Sequence, residues 1–249
     1  MLLVLSVTAL TACAPQGDTK TEYPYYSFTL DSTGKGLILD VSNKSLLPSG
    51  ELTLPRESYF YSSKAGEAKT EHAEALPVVG VADGAFKQMG AITSVVIPNS
   101  YFTIGEYAFA DCKNLKTVTL SPNVEVLSKH VFDGCNALVS VLDDTSDTYI
   151  AGIKKIDDYA FASCLALREL TFSYDKSGYS IGERAFYYTI SLREFDTNKT
   201  LEDETKVSAS SVGSKAFEGW QATQEVKYSS DSGWADDWDS ASNAKFTKK

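Results

Sequence analysis

The sequence predicts an α/β solenoid of stacked coils, each about 23 residues long, with a parallel β-sheet face, short helical turns opposite it and a β cap at the N-terminus. Three observations predict this. A short motif ending in Ala-Phe recurs along the chain, its apolar positions keep a fixed register from copy to copy, and a single unit of that length cannot bury its own apolar face. Composition agrees: 249 residues, 43% hydrophobic and 22% charged, describe a soluble chain with material for a sizeable core. Aspartate and glutamate number 33 against 23 lysines and arginines, a net charge of −10 that repels phosphate backbones and anionic lipid. Nucleic-acid binding is therefore not expected. Two histidines and four cysteines leave little material for a zinc site or a histidine-based catalytic centre.

Taken in order, residues 1–12 (MLLVLSVTALTA) form an apolar run well short of the roughly 20 residues a membrane-spanning helix needs. The run reads as the core of an export signal ending in small residues before Cys13. Leu10-Thr11-Ala12-Cys13 resembles the bacterial lipobox, although no lysine or arginine precedes the apolar run. That resemblance implies lipidation of Cys13 and tethering outside the cytoplasm, with residues 13–22 as a short flexible tether. Residues 23–78 are expected to form an N-terminal β cap and loop. Strand-like runs Tyr25–Leu30 and Leu37–Val41 flank the turn signals Ser32-Thr33-Gly34-Lys35-Gly36, which reads as a hairpin, and 58–75 lack periodicity and read as a loop.

The repeats occupy 79–228. Ile104-Gly105-Glu106-Tyr107-Ala108-Phe109 recurs at 156–161, 181–186 and 212–217, with looser copies at 81–86 and 127–132. The phenylalanines stand at 86, 109, 132, 161, 186 and 217, spaced by 23, 23, 29, 25 and 31 residues. Five positions before them come Val81, Ile104, Leu127, Ile156, Ile181 and Val212; six after, Ile92, Leu115, Leu138, Leu167 and Leu192, with Thr223 in the last copy. Nine after come Val95, Val118, Val141, Leu170, Phe195 and Val226. Stacking turns each position into an apolar ladder. Leu115-x-x-Val118-x-Leu120 has the spacing of a strand with alternate side chains inward, and the chain around Ala108-Phe109 is expected to reverse through a short helical turn.

Cys112, Cys135 and Cys164 share one register and read as small core residues. Equivalent positions in adjacent coils lie close, so a redox pair or metal ligands are the competing readings. The longer spacings place acidic insertions at 143–149 and 197–204. Residues 229–249 are a C-terminal cap or tail, where Trp234 and Trp238, with Trp220 before them, would cover the last coil.

The pattern I-G-x-x-A-F-x-x-C-x-x-L-x-x-V-x-L at 104–120 resembles the BspA-type leucine-rich repeat family of bacterial surface proteins. Gly50–Pro55, followed by Pro77–Val81, resembles the opening of that family's first repeat. The resemblance implies a leucine-rich repeat solenoid and says little about a ligand.

Between the ladder positions, residues seven, eight and ten after each phenylalanine should face outward, Gln224 among them. From these comes a candidate partner-binding set of Val96, Lys116, Thr119, Val139, Leu142, Arg168, Thr171, Arg193 and Asp196, since interfaces favour apolar residues and arginine. The alternative is that this is only the solvated side of a sheet. No glycine-rich phosphate loop, H-E-x-x-H, G-x-S-x-G or C-x-x-C is present; His72 falls in the aperiodic loop and His130 at a variable repeat position. The chain is thus expected to be non-enzymatic, without cofactor or metal. It reads as a monomeric surface lipoprotein that binds a partner protein and meets the membrane only through Cys13, adhesion to a host or matrix protein being what the family resemblance implies. A glycan-binding or glycan-processing module using Tyr187, Tyr188, Trp234 and Trp238, and a structural envelope protein with no diffusible ligand, are the alternatives.

Overall fold

The computed structural model describes residues 23–60, 74–143, 150–168, 170, 172–173, 179–196, 198–200, 206–228 and 234–248. Cys13, His72, Thr171 and the insertion at 144–149 lie outside the described residues. Two walls of short parallel strands enclose the core. In one wall Gly50–Thr53, Ile92–Val96, Thr117–Leu120 and Ser140–Asp143 pair in parallel in that order, and Glu194–Asp196, Glu225–Tyr228 and Lys245–Lys248 form a further parallel set. Register sets Leu52, Val95, Val118 and Val141 side by side, all buried. In the other wall Leu39, Val81 and Ile104 are in register, as are Leu127, Ile156, Ile181 and Val212. The repeat positions are therefore the ladders of the core, as their spacing requires.

Between the walls, Phe86, Phe109, Phe132, Phe161, Phe186 and Phe217 are fully buried. Their rings stack in sequence with centroids 5.0, 5.8, 5.6, 5.7 and 5.6 Å apart.

The chain turns around each phenylalanine without forming a helix, contrary to the helical turns expected; the one helix among the described residues is the 3₁₀ segment Lys44–Leu46. The reason is how the amides are spent. Around Phe109, Ala108 N donates to Gly105 O, Ala110 N to Tyr107 O and Cys112 N to Phe109 O, three tight turns in succession. The intervening amides leave the coil: Tyr107 N donates to Lys129 O, Phe109 N to Val131 O and Asp111 N to Asp133 O of the next coil. Residues two before each phenylalanine hold positive φ (Gly84, Tyr107, His130, Tyr159, Arg184 and Lys215), and so do those two after it (Gln88, Asp111, Gly134, Ser163, Tyr188 and Gly219). Positive φ at the third position of a turn is the type II signature, and it aims every second amide at the neighbouring coil.

Coils approach closely where the motif has glycine before its variable residues. A Cβ on Gly182 would lie 2.4 Å from Asp158 N and 2.6 Å from Asp157 C, backbone atoms that cannot swing away. Gly182→Ala is expected to cost about 1–3 kcal/mol through overpacking. Gly90→Ala, where a Cβ meets nothing within 4 Å, should leave the urea midpoint within the range of an ordinary surface change. Equal midpoints for the two variants would show that the coils can part at no cost.

Both ends are closed. Tyr26–Leu30 and Leu37–Val41 form the antiparallel hairpin that the turn signals predict, and Tyr26 sets its ring 6.2 Å from Phe86. Leu37–Val41 and Gly50–Thr53 each join one of the walls, so 37–53 form one coil more than the motif reveals, with Lys44–Leu46 in place of the phenylalanine turn. Glu57–Phe60 pairs antiparallel with Glu74–Pro77, so both ends of the segment read as a loop are strand. At the other end, Lys245–Lys248 adds a strand beside Glu225–Tyr228, and Trp238 packs edge-on against Phe217, Tyr228, Trp234 and Phe246. Among the described residues no helix is long and apolar enough to cross a membrane.

Candidate protein-binding face

The outer surface of the first wall carries most of the predicted partner-binding set. Lys116, Val139 and Arg168, each seven residues after its phenylalanine, are tied to the coil before. Lys116 N donates to Thr93 O at 2.8 Å, Val139 N to Lys116 O at 2.8 Å and Arg168 N to Val139 O at 3.1 Å. This sets Lys116, Val139 and Arg168 in one column, all exposed, and the same register places exposed Arg193 on the next coil. Ten after the phenylalanine, Val96, Thr119 and Leu142 pair directly across neighbouring strands. These three are half-buried rather than exposed, because neighbouring parallel strands lie only about 4.8 Å apart and same-column side chains cover one another. Between the two columns, Thr117 Oγ1 donates to Ser94 Oγ at 2.9 Å. Asp196 lies in the strand Glu194–Asp196, in register with Lys227.

Gln224 corrects the outward reading. It is buried, and its Nε2 donates to Thr189 O at 2.9 Å and Leu192 O at 2.6 Å. The last copy carries exposed Thr223 where the others have leucine or isoleucine, and Gln224 takes the inward place.

Cys112, Cys135 and Cys164 are free and buried, so the redox-pair reading is set aside. They have a use that the register alone did not show. Each thiol donates to the carbonyl of the phenylalanine one coil earlier: Cys112 to Phe86 and Cys135 to Phe109 at 3.1 Å, Cys164 to Phe132 at 3.2 Å. Burial pushes the Cys164 thiol up, which keeps it a protonated donor. Among the described residues no group of three or more His, Cys, Asp or Glu is placed to hold a metal ion.

His130 is more than a solvated side chain. Its ring lies between Tyr107 and Tyr159, stacked at 4.4 and 4.7 Å, and its Nδ1 is 2.7 Å from Asp133 Oδ2. Arg184 extends the column, with Nη1 donating to Tyr159 Oη at 2.9 Å. These rings occupy the left-handed position two before the phenylalanine, and the recurrence of Tyr107 and Tyr159 there was the available signal. Sequence reading also missed a groove of about 560 Å³ beside Phe102, Pro122 and Val126. Of the aromatics considered for sugar stacking, Trp234 and Trp238 are each only 7% exposed, so their faces are spent on the C-terminal core.

The repeat registers and the parallel walls agree with what known proteins show. Residues 80–206 match the model of the BspA type leucine-rich repeat region, in 6 copies. Among solved structures the chain is similar to a leucine-rich repeat protein of T. pallidum, at 21% identity and a TM-score of 0.59, covering 84% of this chain and 81% of that one. It is also similar to a leucine-rich cell surface protein of Faecalibacterium prausnitzii, at 23% identity and a TM-score of 0.53, covering 86% of this chain and 55% of that one. A third likeness is to the pneumococcal vaccine antigen PcpA, at 17% identity and a TM-score of 0.51, covering 81% of this chain and 47% of that one. At these identities the likeness is one of fold. A comparison with curated proteins returns no match. With the family model spanning more than half of its residues, the chain belongs to the BspA-type leucine-rich repeat family.

Proposed function

We propose that the chain is a non-enzymatic, surface-displayed scaffold that binds a partner protein on the outer face of its first wall. The observation that carries this reading is the column of Lys116, Val139 and Arg168, exposed and joined coil to coil by backbone hydrogen bonds, with exposed Arg193 at the same repeat position of the next coil. A fixed row of cations and an apolar residue, beside the half-buried row of Val96, Thr119 and Leu142, has the make-up of a docking surface. By repeat spacing, Thr171 and Asp196 are the corresponding residues of the next two copies. The description of the Faecalibacterium protein as a cell surface protein, and of PcpA as a vaccine antigen, supports surface display here. Anchoring through Cys13, a monomeric state and adhesion to a host or matrix protein complete the proposal.

The full chain is to be screened by surface plasmon resonance against immobilised matrix proteins and glycans, with the double variant Leu142→Asp, Arg168→Glu beside it. Saturable protein binding that falls by roughly tenfold or more in the variant is the expected result. Protein binding unchanged in the variant would move the site off this face, and binding to glycans alone would replace the reading.

A further inference from the structure

The cations of this column differ from six others in the molecule. Lys129, Lys154, Lys155, Arg184, Lys227 and Lys245 each hold a carboxylate. Lys116, Arg168 and Arg193 are exposed and have no ion-pair partner among the described residues. The chain's arginines are Arg56, Arg168, Arg184 and Arg193, so half of them stand in this one column, in a protein of net charge −10. Val139, 37% exposed, sits between Lys116 and Arg168 in the same column.

Resting on the protein-binding reading above, we propose that the element docked on this face is an acidic, extended protein segment laid along the solenoid axis. Its carboxylates face Lys116, Arg168 and Arg193, and an apolar side chain covers Val139 and Leu142. Guanidinium and carboxylate match as a planar two-point pair, which suits Arg168 and Arg193 to such a segment. Coils repeat at about 4.8 Å, and same-face residues of an extended peptide at about 6.8 Å, a mismatch that long lysine and arginine stems absorb over three or four coils. Glu194 and Glu225 beside the column are paired with Lys227 and Lys245, and the acidic surface elsewhere steers such a segment toward the column. The apolar residue between the cations favours a peptide over a sulfated glycan, which has nothing to place on Val139.

The test is fluorescence anisotropy on the full chain with three probes: a labelled ten-residue peptide alternating Asp and Leu, the same peptide with Asn for Asp, and a heparin-derived sulfated oligosaccharide. Expected is binding of the Asp–Leu peptide that weakens steeply as salt rises, because exposed charges are screened. The variant R168E/R193E should lose that binding by roughly tenfold or more, while the charge-matched K35E/K215E, on the hairpin turn and the opposite side, should lose far less. Both variants should melt with the wild-type chain. Absent binding, or equal loss in the two variants, overturns the inference. Binding of the Asn–Leu peptide as tight as that of the Asp–Leu peptide overturns the acidic partner yet leaves a protein-binding face in place. Tighter binding of the oligosaccharide that is lost in R168E/R193E overturns the peptide in favour of a sulfated glycan.

Discussion

Phe132→Ala will destabilise the fold by about 3–5 kcal/mol, the range for truncating a fully buried phenylalanine whose surroundings cannot collapse. Phe132 has no exposed surface, and its ring stacks between Phe109 at 5.8 Å and Phe161 at 5.6 Å. Burial of the side chain is worth about 2–3 kcal/mol by area, and each lost ring pair adds roughly 0.5–1.5 kcal/mol. Collapse is prevented by the backbone. Phe132 N donates to Ala160 O at 3.0 Å while Phe109 N donates to Val131 O at 3.0 Å, so the coils on both sides are held at fixed spacing whatever fills the core. Phe132→Leu, which keeps much of the volume and loses the ring contacts, should cost clearly less. Chemical denaturation of the three proteins decides it. A Phe132→Ala chain with the wild-type midpoint would mean that the phenylalanine column does not hold the coils together.

The repeat made most of this core legible in advance, because the same demand is stated at Phe86, Phe109, Phe132, Phe161, Phe186 and Phe217, and agreement among copies outweighs the ambiguity of any one. The turns were not legible. Tyr107, His130, Tyr159, Arg184 and Lys215 hold φ between 48° and 57°, a region where a residue with a Cβ pays about 1 kcal/mol or more. Local propensity argues against that conformation at every one of these positions. What outweighs it is non-local: in each of these residues the amide reaches a carbonyl of the next coil, as when His130 N donates to Asp158 O at 3.0 Å and Arg184 N to Ser214 O at 3.0 Å. An unsatisfied amide there would cost about 1–3 kcal/mol.

The same division applies to the candidate site. Lys116, Val139 and Arg168 were legible as outward residues because the register of the buried neighbours Leu115, Leu138 and Leu167 leaves them no inward place. The half-burial of Val96 and Leu142 was not, since it arises from side chains of adjacent strands rather than from their own strand. Nor was the pairing state of the cations, which depends on which carboxylates the loops bring near. The coils at the two ends escaped notice for a simpler reason: 37–53 and 245–248 have the wall strands without the Ala-Phe motif.

Trp220→Ala should cost as much as Phe132→Ala, about 3–5 kcal/mol, but the loss should be confined to the C-terminal coils. Trp220 is fully buried in the register that Cys112, Cys135 and Cys164 occupy in earlier coils, and it performs their task with a larger side chain. Its Nε1 donates to Phe186 O at 3.0 Å and Thr189 Oγ1 at 2.9 Å, and its ring meets Phe217 edge-on at 5.0 Å. Asn243 N in turn donates to Trp220 O at 2.8 Å, which ties the final strand to this residue. A solenoid coil contacts only its neighbours, so a defect here is not shared with the coils around Phe109 and Phe132. Hydrogen exchange should therefore quicken in Glu225–Tyr228 and Lys245–Lys248, while Thr117–Leu120 keeps its wild-type protection. Trp220→Phe separates the two contributions: it retains most of the ring packing, leaves Phe186 O with the Thr189 hydroxyl at 2.8 Å, and should recover more than half of the loss. If exchange instead quickened equally from Ile92 to Lys248 in the alanine variant, the coils would be acting as one cooperative body, and the C-terminal aromatics would be sustaining the whole solenoid rather than closing its end.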